Sequence, residues 1–144
     1  MFRPQDPARF GEVISQLWAF AIFVTIFRDL HEMATASTIN GILSGTFEGN
    51  PVTDFALVMG GVALVILLAT MVLSSQLVPT AARRLNLGVA PIAIAGMFVV
   101  PPNDPDDYLL ASVTFLTFIA IFVLSWKWKP SDTKSANVRL NHAA

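Results

Sequence analysis

The sequence predicts an all-α fold: an integral membrane four-helix bundle, both termini cytoplasmic, with a long outer loop between helices 1 and 2. Three observations predict it. Apolar residues make up 54% of the 144-residue chain and charged ones 13%, about half the roughly 25% charged share of soluble domains. Long runs carry no ionisable group at all. The nine basic residues also fall almost wholly on one side of the spans those runs define.

The first span, residues 13–30, is diluted by Ser15, Gln16 and Thr25 and closed by Arg28 and Asp29. The second, residues 55–77, is free of charge, and at a rise of 1.5 Å roughly 20 such residues cross a hydrocarbon core of about 30 Å. The third, residues 85–102, is uncharged and rich in Gly, Ala and Pro, with Asn86 near its start and Pro91 placed to kink it. The fourth, residues 108–128, is as clean as the second. Backbone groups in lipid must be satisfied within each segment, so each span reads as a helix, and the alternation of a transmembrane strand is absent. Residues 1–129 form the four-span membrane domain, and residues 130–144 read as a flexible polar cytoplasmic tail.

Orientation follows from the basic residues. With both termini inside, Arg3, Arg9, Arg83, Arg84, Lys127, Lys129, Lys134 and Arg139 are cytoplasmic and Arg28 alone is outside. Trp126, Lys127, Trp128 and Lys129 read as an inner-interface anchor, with Arg28 and Tyr108 as interface residues at the other side. A competing reading takes the basic start, the apolar run and Ala34-x-Ala36 as a secretory signal. The charged stretch before Ala34 argues against cleavage there.

Small residues let membrane helices approach closely. Ala56, Gly60 and Gly61 of the second span and Gly88, Ala93 and Gly96 of the third therefore read as contact surface, chiefly between helices of this chain and alternatively toward another chain. Buried ionisable residues mark function inside membranes, and spans two to four contain none; Thr70, Thr114, Thr117 and Ser125 are read as bonding to their own helices. Catalytic residues are not indicated. The absence of cysteine excludes thiolate chemistry and Cys-ligated metals. The net charge of −1 and the absence of a basic face argue against a nucleic-acid partner.

The stretch "RDLHE" at 28–32 concentrates ionisable groups where the first span ends. Helical spacing predicts an Arg28–Glu32 pair, with Asp29 one turn from Glu32. His31 points about 100° away from Glu32. A metal site built on Asp29, His31 and Glu32 would need Asp104, Asp106 or Asp107 to complete three or four ligands. No ligand spacing supports one, and no cofactor is expected, His31 being the sole residue to consider for one. In the loop at 33–54, a short interfacial helix and a tight turn are expected to bury Ile39, Ile42, Leu43 and Phe47 against the membrane or the bundle mouth. That loop and the acidic "NDPDD" at 103–107 are the places a binding surface would sit.

Several weak motifs occur in a familiar order: Leu17-Trp18-x-Phe20 followed by Phe27-x-Asp29, the loop "ILSGTFEGNPVT", the basic "AARRLN" and the closing "SWKWKP". In this the chain resembles, over about residues 17–130, an uncharacterised bacterial family of small four-helix membrane proteins, similar in topology to DoxX-like proteins. The resemblance implies the bacterial inner membrane and puts interest on Asp29, Gly45, Thr46, Gly49, Trp126 and Trp128. Val24 departs from the family pattern, which has a polar residue mid-span. The expected function is that of a non-enzymatic structural or accessory subunit of a larger membrane complex, bioenergetic or light-harvesting, whose partners are the lipid bilayer and other membrane subunits. The alternatives are a small transporter or lipid-handling protein, and a DoxX-like redox accessory.

Overall fold

A computed structural model describes residues 7–47, 50–99, 102 and 104–129; the tail at 130–144 and Gly49 lie outside the described residues. The elements in order are α1 (Pro7–Met33), α2 (Ala36–Leu43), β1 (Thr46–Phe47), β2 (Asn50–Pro51), α3 (Asp54–Gln76), α4 (Pro79–Gly96) and α5 (Pro105–Lys127). The chain is all-helical apart from the two-residue antiparallel ribbon β1–β2, in register Thr46↔Pro51. Three helices, α1, α3 and α5, are long and apolar enough to cross a membrane.

Local chemistry sets the ends of these helices. Thr35 caps α2 and Thr53 caps α3, each accepting from a backbone N–H three residues on. Pro79 and Pro105 stand in the first turns of α4 and α5, where their missing N–H costs nothing. The third helix therefore starts at Pro79, six residues before the expected apolar boundary at 85, and ends at Gly96 rather than 102. It runs on through Pro91. Arg83, Arg84 and Asn86 dilute it, so α4 lacks the apolar length of the other three.

α1 packs antiparallel between α3 and α5. Phe10 near its start stacks on Trp128, with ring centroids 5.8 Å apart, and Trp18 meets Phe118 at 5.4 Å. α4 closes the group against α5 and α3. Ile14, Trp18, Ala21, Ala82, Ala90, Phe118, Ile121 and Trp128 form the core. Trp128 is only 2% exposed, so it is not the interfacial anchor expected from its neighbourhood; its indole is used in the stack on Phe10. Trp126 is 66% exposed, and Lys127 and Lys129 are exposed with it.

The small-residue positions are also placed differently from the within-chain expectation. A Cβ added at Gly60, Gly61, Gly88 or Gly96 would meet nothing within 4 Å. Ala56 is exposed, and Ala93 alone of the six packs against the core. The close approach is made by Gly11, where an added Cβ would lie 2.6 Å from the Ser74 carbonyl oxygen of α3. The first thirteen residues of α3, Asp54 to Ile66, are exposed on every face. That surface is apolar enough to call for lipid or another protein rather than water.

The segment linking α1 to α3 holds the expected short helix and tight turn. Gly45 has φ of 83°, a left-handed conformation that glycine adopts without cost, and it lets the chain leave α2 for the ribbon. No residue of α2 is buried. Ile39, Ile42 and Leu43 are exposed and only Phe47 is half-buried, because α2 lies beside the end of α1 instead of across the mouth of the helices.

Candidate functional site

Two polar layers and a cavity between them hold the chemistry of the molecule. At one end, Asp107 of α5 is 2% exposed and pairs with Arg28 of α1, whose side chain is 14% exposed. Nε donates to Oδ1 and Nη2 donates to Oδ2 at 2.9 Å, the two-pronged geometry that guanidinium and carboxylate favour. One turn further along α1, His31 Nε2 lies 2.7 Å from Asp106 Oδ2, both groups about half exposed. Asp104 caps α5 by accepting from the Asp107 N–H at 2.9 Å. Asp104, Asp106 and Asp107 thus stand at a helix start turned toward "RDLHE", and the carboxylates also suit the positive end of the helix dipole.

Arg28 makes its hydrogen-bonded pair with Asp107, 79 residues away in sequence, and Glu32 and Asp29 of its own helix add electrostatic attraction to the guanidinium. His31, which sequence spacing left without a partner, has Asp106. Asp29 is exposed and Glu32 half-buried beside this pair. Among the described residues no group of three or more His, Asp or Glu side chains converges as a metal site. Gly45 and Thr46 form the turn into β1, and the Thr46 hydroxyl donates to the Gly41 carbonyl.

At the other end Asn86 is the hub. It is fully buried; its Oδ1 accepts from Trp18 Nε1 at 2.6 Å and lies 2.9 Å from Ser74 Oγ, while Nδ2 donates to the Ala82 carbonyl at 2.8 Å. Because an indole N–H can only donate, the Asn86 amide orientation is determined. Three helices, α1, α3 and α4, meet at this one side chain. Asn86→Leu is expected to orphan the Trp18 N–H and cost about 1–2 kcal/mol, whereas Asn86→Leu combined with Trp18→Phe recovers most of it. Thermal unfolding in detergent reads both. Nearby, Arg83 donates to the carbonyls of Ser125 at 3.0 Å and Trp126 at 3.4 Å, closing the last turn of α5 as a cation at a helix C-terminus does.

Between these layers lies a cavity of about 360 Å³ walled by all four long helices. Its body is apolar, with Leu67, Val89 and Phe118 on three of the walls; Thr25, Arg28 and Thr114 supply the polar lining. The threonine hydroxyls donate to their own helices, Thr25 to Ala21 and Thr114 to Leu110. Its exposed lining residues, Ala63 and Ile66 of α3 and Ile92 and Gly96 of α4, place the opening between α3 and α4. A second, more open hollow of about 480 Å³ lies between α5 and the segment that follows α4, beside Phe98, Tyr108 and Phe115.

Neither the role of Asn86 nor the position of the cavity is read from the sequence. Asn86 had a signal, being the single polar residue on the face that carries Ala82 and Ala90 at successive turns. The cavity had none, since it depends on how α3 and α4 diverge.

The fold and these sites define an all-helical protein with three helices able to cross a membrane, tied internally by one buried ion pair and one buried asparagine. No protein-family model, no curated protein and no solved structure matches the chain.

Proposed function

We propose that the protein is a four-span integral membrane protein of the bacterial inner membrane, both termini cytoplasmic, serving as a non-enzymatic accessory subunit of a larger membrane complex. The observation that carries this reading is the outer half of α3. Its apolar faces are exposed, and Gly60 and Gly61 have open space beyond their backbones. In lipid, such small-residue surface allows a neighbouring helix to approach closely. Most polar side chains of the helix layers, by contrast, are engaged within the chain: Arg28 with Asp107, Trp18 and Ser74 with Asn86, and Arg83 with α5. Ser125 Oγ and Trp128 Nε1 are buried without a hydrogen-bond partner among the described residues. α4 completes the fourth crossing because Arg83 and Arg84 sit at its start, at headgroup level, and bring the basic residues of the connection between α3 and α4 to the same side as Lys127 and Lys129. The resemblance to DoxX-like topology supports the same architecture.

Large side chains at Gly60 and Gly61 are expected to abolish co-purification of the partner from native membranes in mild detergent. The unfolding temperature should not fall, because a Cβ added at either position meets nothing within 4 Å. Wild-type protein eluting as a monomer with no co-purifying protein would overturn the reading.

A further inference from the structure

We propose that the cavity between the four helices binds one uncharged single-chain lipid, with a hydroxyl head between Thr25, Arg28 and Thr114. The first part of its chain lies among the apolar walls, and the rest leaves between Ile66 and Ile92 into the bilayer. Its volume of about 360 Å³ falls within the roughly 300–1,000 Å³ of small-molecule sites. The lining runs along α4 from Val89 to Gly96, about 10 Å at helical rise, so the space is elongated. Most of this lining is apolar, and the molecules that surround it in a membrane are lipid chains.

Charge selects the head. Arg28 engages both carboxylate oxygens of Asp107, and Asp29 and Glu32 lie close on the same helix. An anionic head would meet an arginine already neutralised by Asp107. A cationic head would meet the guanidinium on leaving water. A hydroxyl head suits the site: Thr25 and Thr114 have donated their protons to backbone carbonyls, which leaves their oxygens to accept from it. Thr114 is buried within the wall. Access is sideways from the bilayer, between Ile66 and Ile92, where Ala63, Ala93 and Gly96 keep the helix surfaces low. This assignment is independent of the accessory role, since it concerns the interior and not the outer face of α3.

The test is photolabelling of the detergent-solubilised full chain with a diazirine analogue of 1-oleoylglycerol. The expected result is about one label per chain, mapped to the cavity segments of α4 and α5. Excess 1-oleoylglycerol should compete about tenfold better than its phosphate ester or oleylamine, a difference that matches roughly 1.4 kcal/mol. Ala93→Phe, which fills the space, should reduce labelling about tenfold, while Val65→Phe on the exposed face of α3 should not. Thr114→Val keeps the volume and removes only the acceptor, so it decides the matter should Ala93→Phe fail to fold; its expected effect is a roughly fivefold loss of competition. Equal competition by the phosphate ester, labelling indifferent to both cavity variants, or label spread over the lipid-facing surface would overturn the proposal.

Discussion

Asp107→Ala is expected to destabilise the protein by about 3–5 kcal/mol, the range for removing one partner of a buried ion pair. The size comes from what is left behind. Arg28 is 14% exposed and cannot shed its charge, so without Asp107 it must either stay desolvated or pull the end of α1 away from α5. Arg28→Met with Asp107→Leu should restore most of the loss, because two apolar side chains of similar size carry no such charge. Glu32→Gln is the control. Were the local pair the operative one, this change would mimic Asp107→Ala; with Arg28 held by Asp107 it should cost under about 1 kcal/mol. Thermal or denaturant unfolding of the three variants in one detergent separates the two pairings, and a large loss in Glu32→Gln would sink this account.

The contrast between those two carboxylates shows what sequence reading reached and where it stopped. Helical spacing exposes only neighbours on one helix, so Glu32, four residues from Arg28, was visible as a partner. Asp107 was not, because its closeness depends on α1 and α5 lying antiparallel, which no local pattern encodes. The apolar helices themselves were legible from composition: α1, α3 and α5 are the three able to cross a membrane, within a few residues of the expected spans. The fourth was misplaced because an apolar window stops at Arg83 and Arg84. A helix is ended by caps and prolines, and Pro79 starts this one before the basic residues. Trp128 failed for the opposite reason. "WKWK" reads as a repeat of like anchors, yet one indole turns inward onto Phe10 and the other does not. The candidate site divides the same way: the ionisable cluster was conspicuous, while its partner strand of chain, the Asn86 hub and the cavity all come from tertiary arrangement.

Glycine at two helical positions gives the second large effect, with opposite signs for the same change. Replacing glycine by alanine inside a helix is worth about 1 kcal/mol in propensity. At Gly60 that gain should appear nearly intact, since an added Cβ meets nothing within 4 Å. At Gly11 the new Cβ would sit 2.6 Å from the Ser74 carbonyl oxygen, with the backbone of Ser75 also within reach. These are backbone atoms of α3 and cannot rotate aside, so α1 and α3 must separate. Separation also loosens Ser74 from Asn86 and the Phe10–Trp128 stack at the same end. Overpacking of this kind costs about 1–3 kcal/mol, so Gly11→Ala should be destabilising despite its propensity gain, and Gly11→Leu should reach about 3 kcal/mol or fail to assemble. Unfolding temperatures of Gly11→Ala and Gly60→Ala measured side by side provide the check. A stabilised Gly11→Ala would mean that α1 and α3 do not touch there, and the antiparallel contact that orders the Asn86 layer would fall with it.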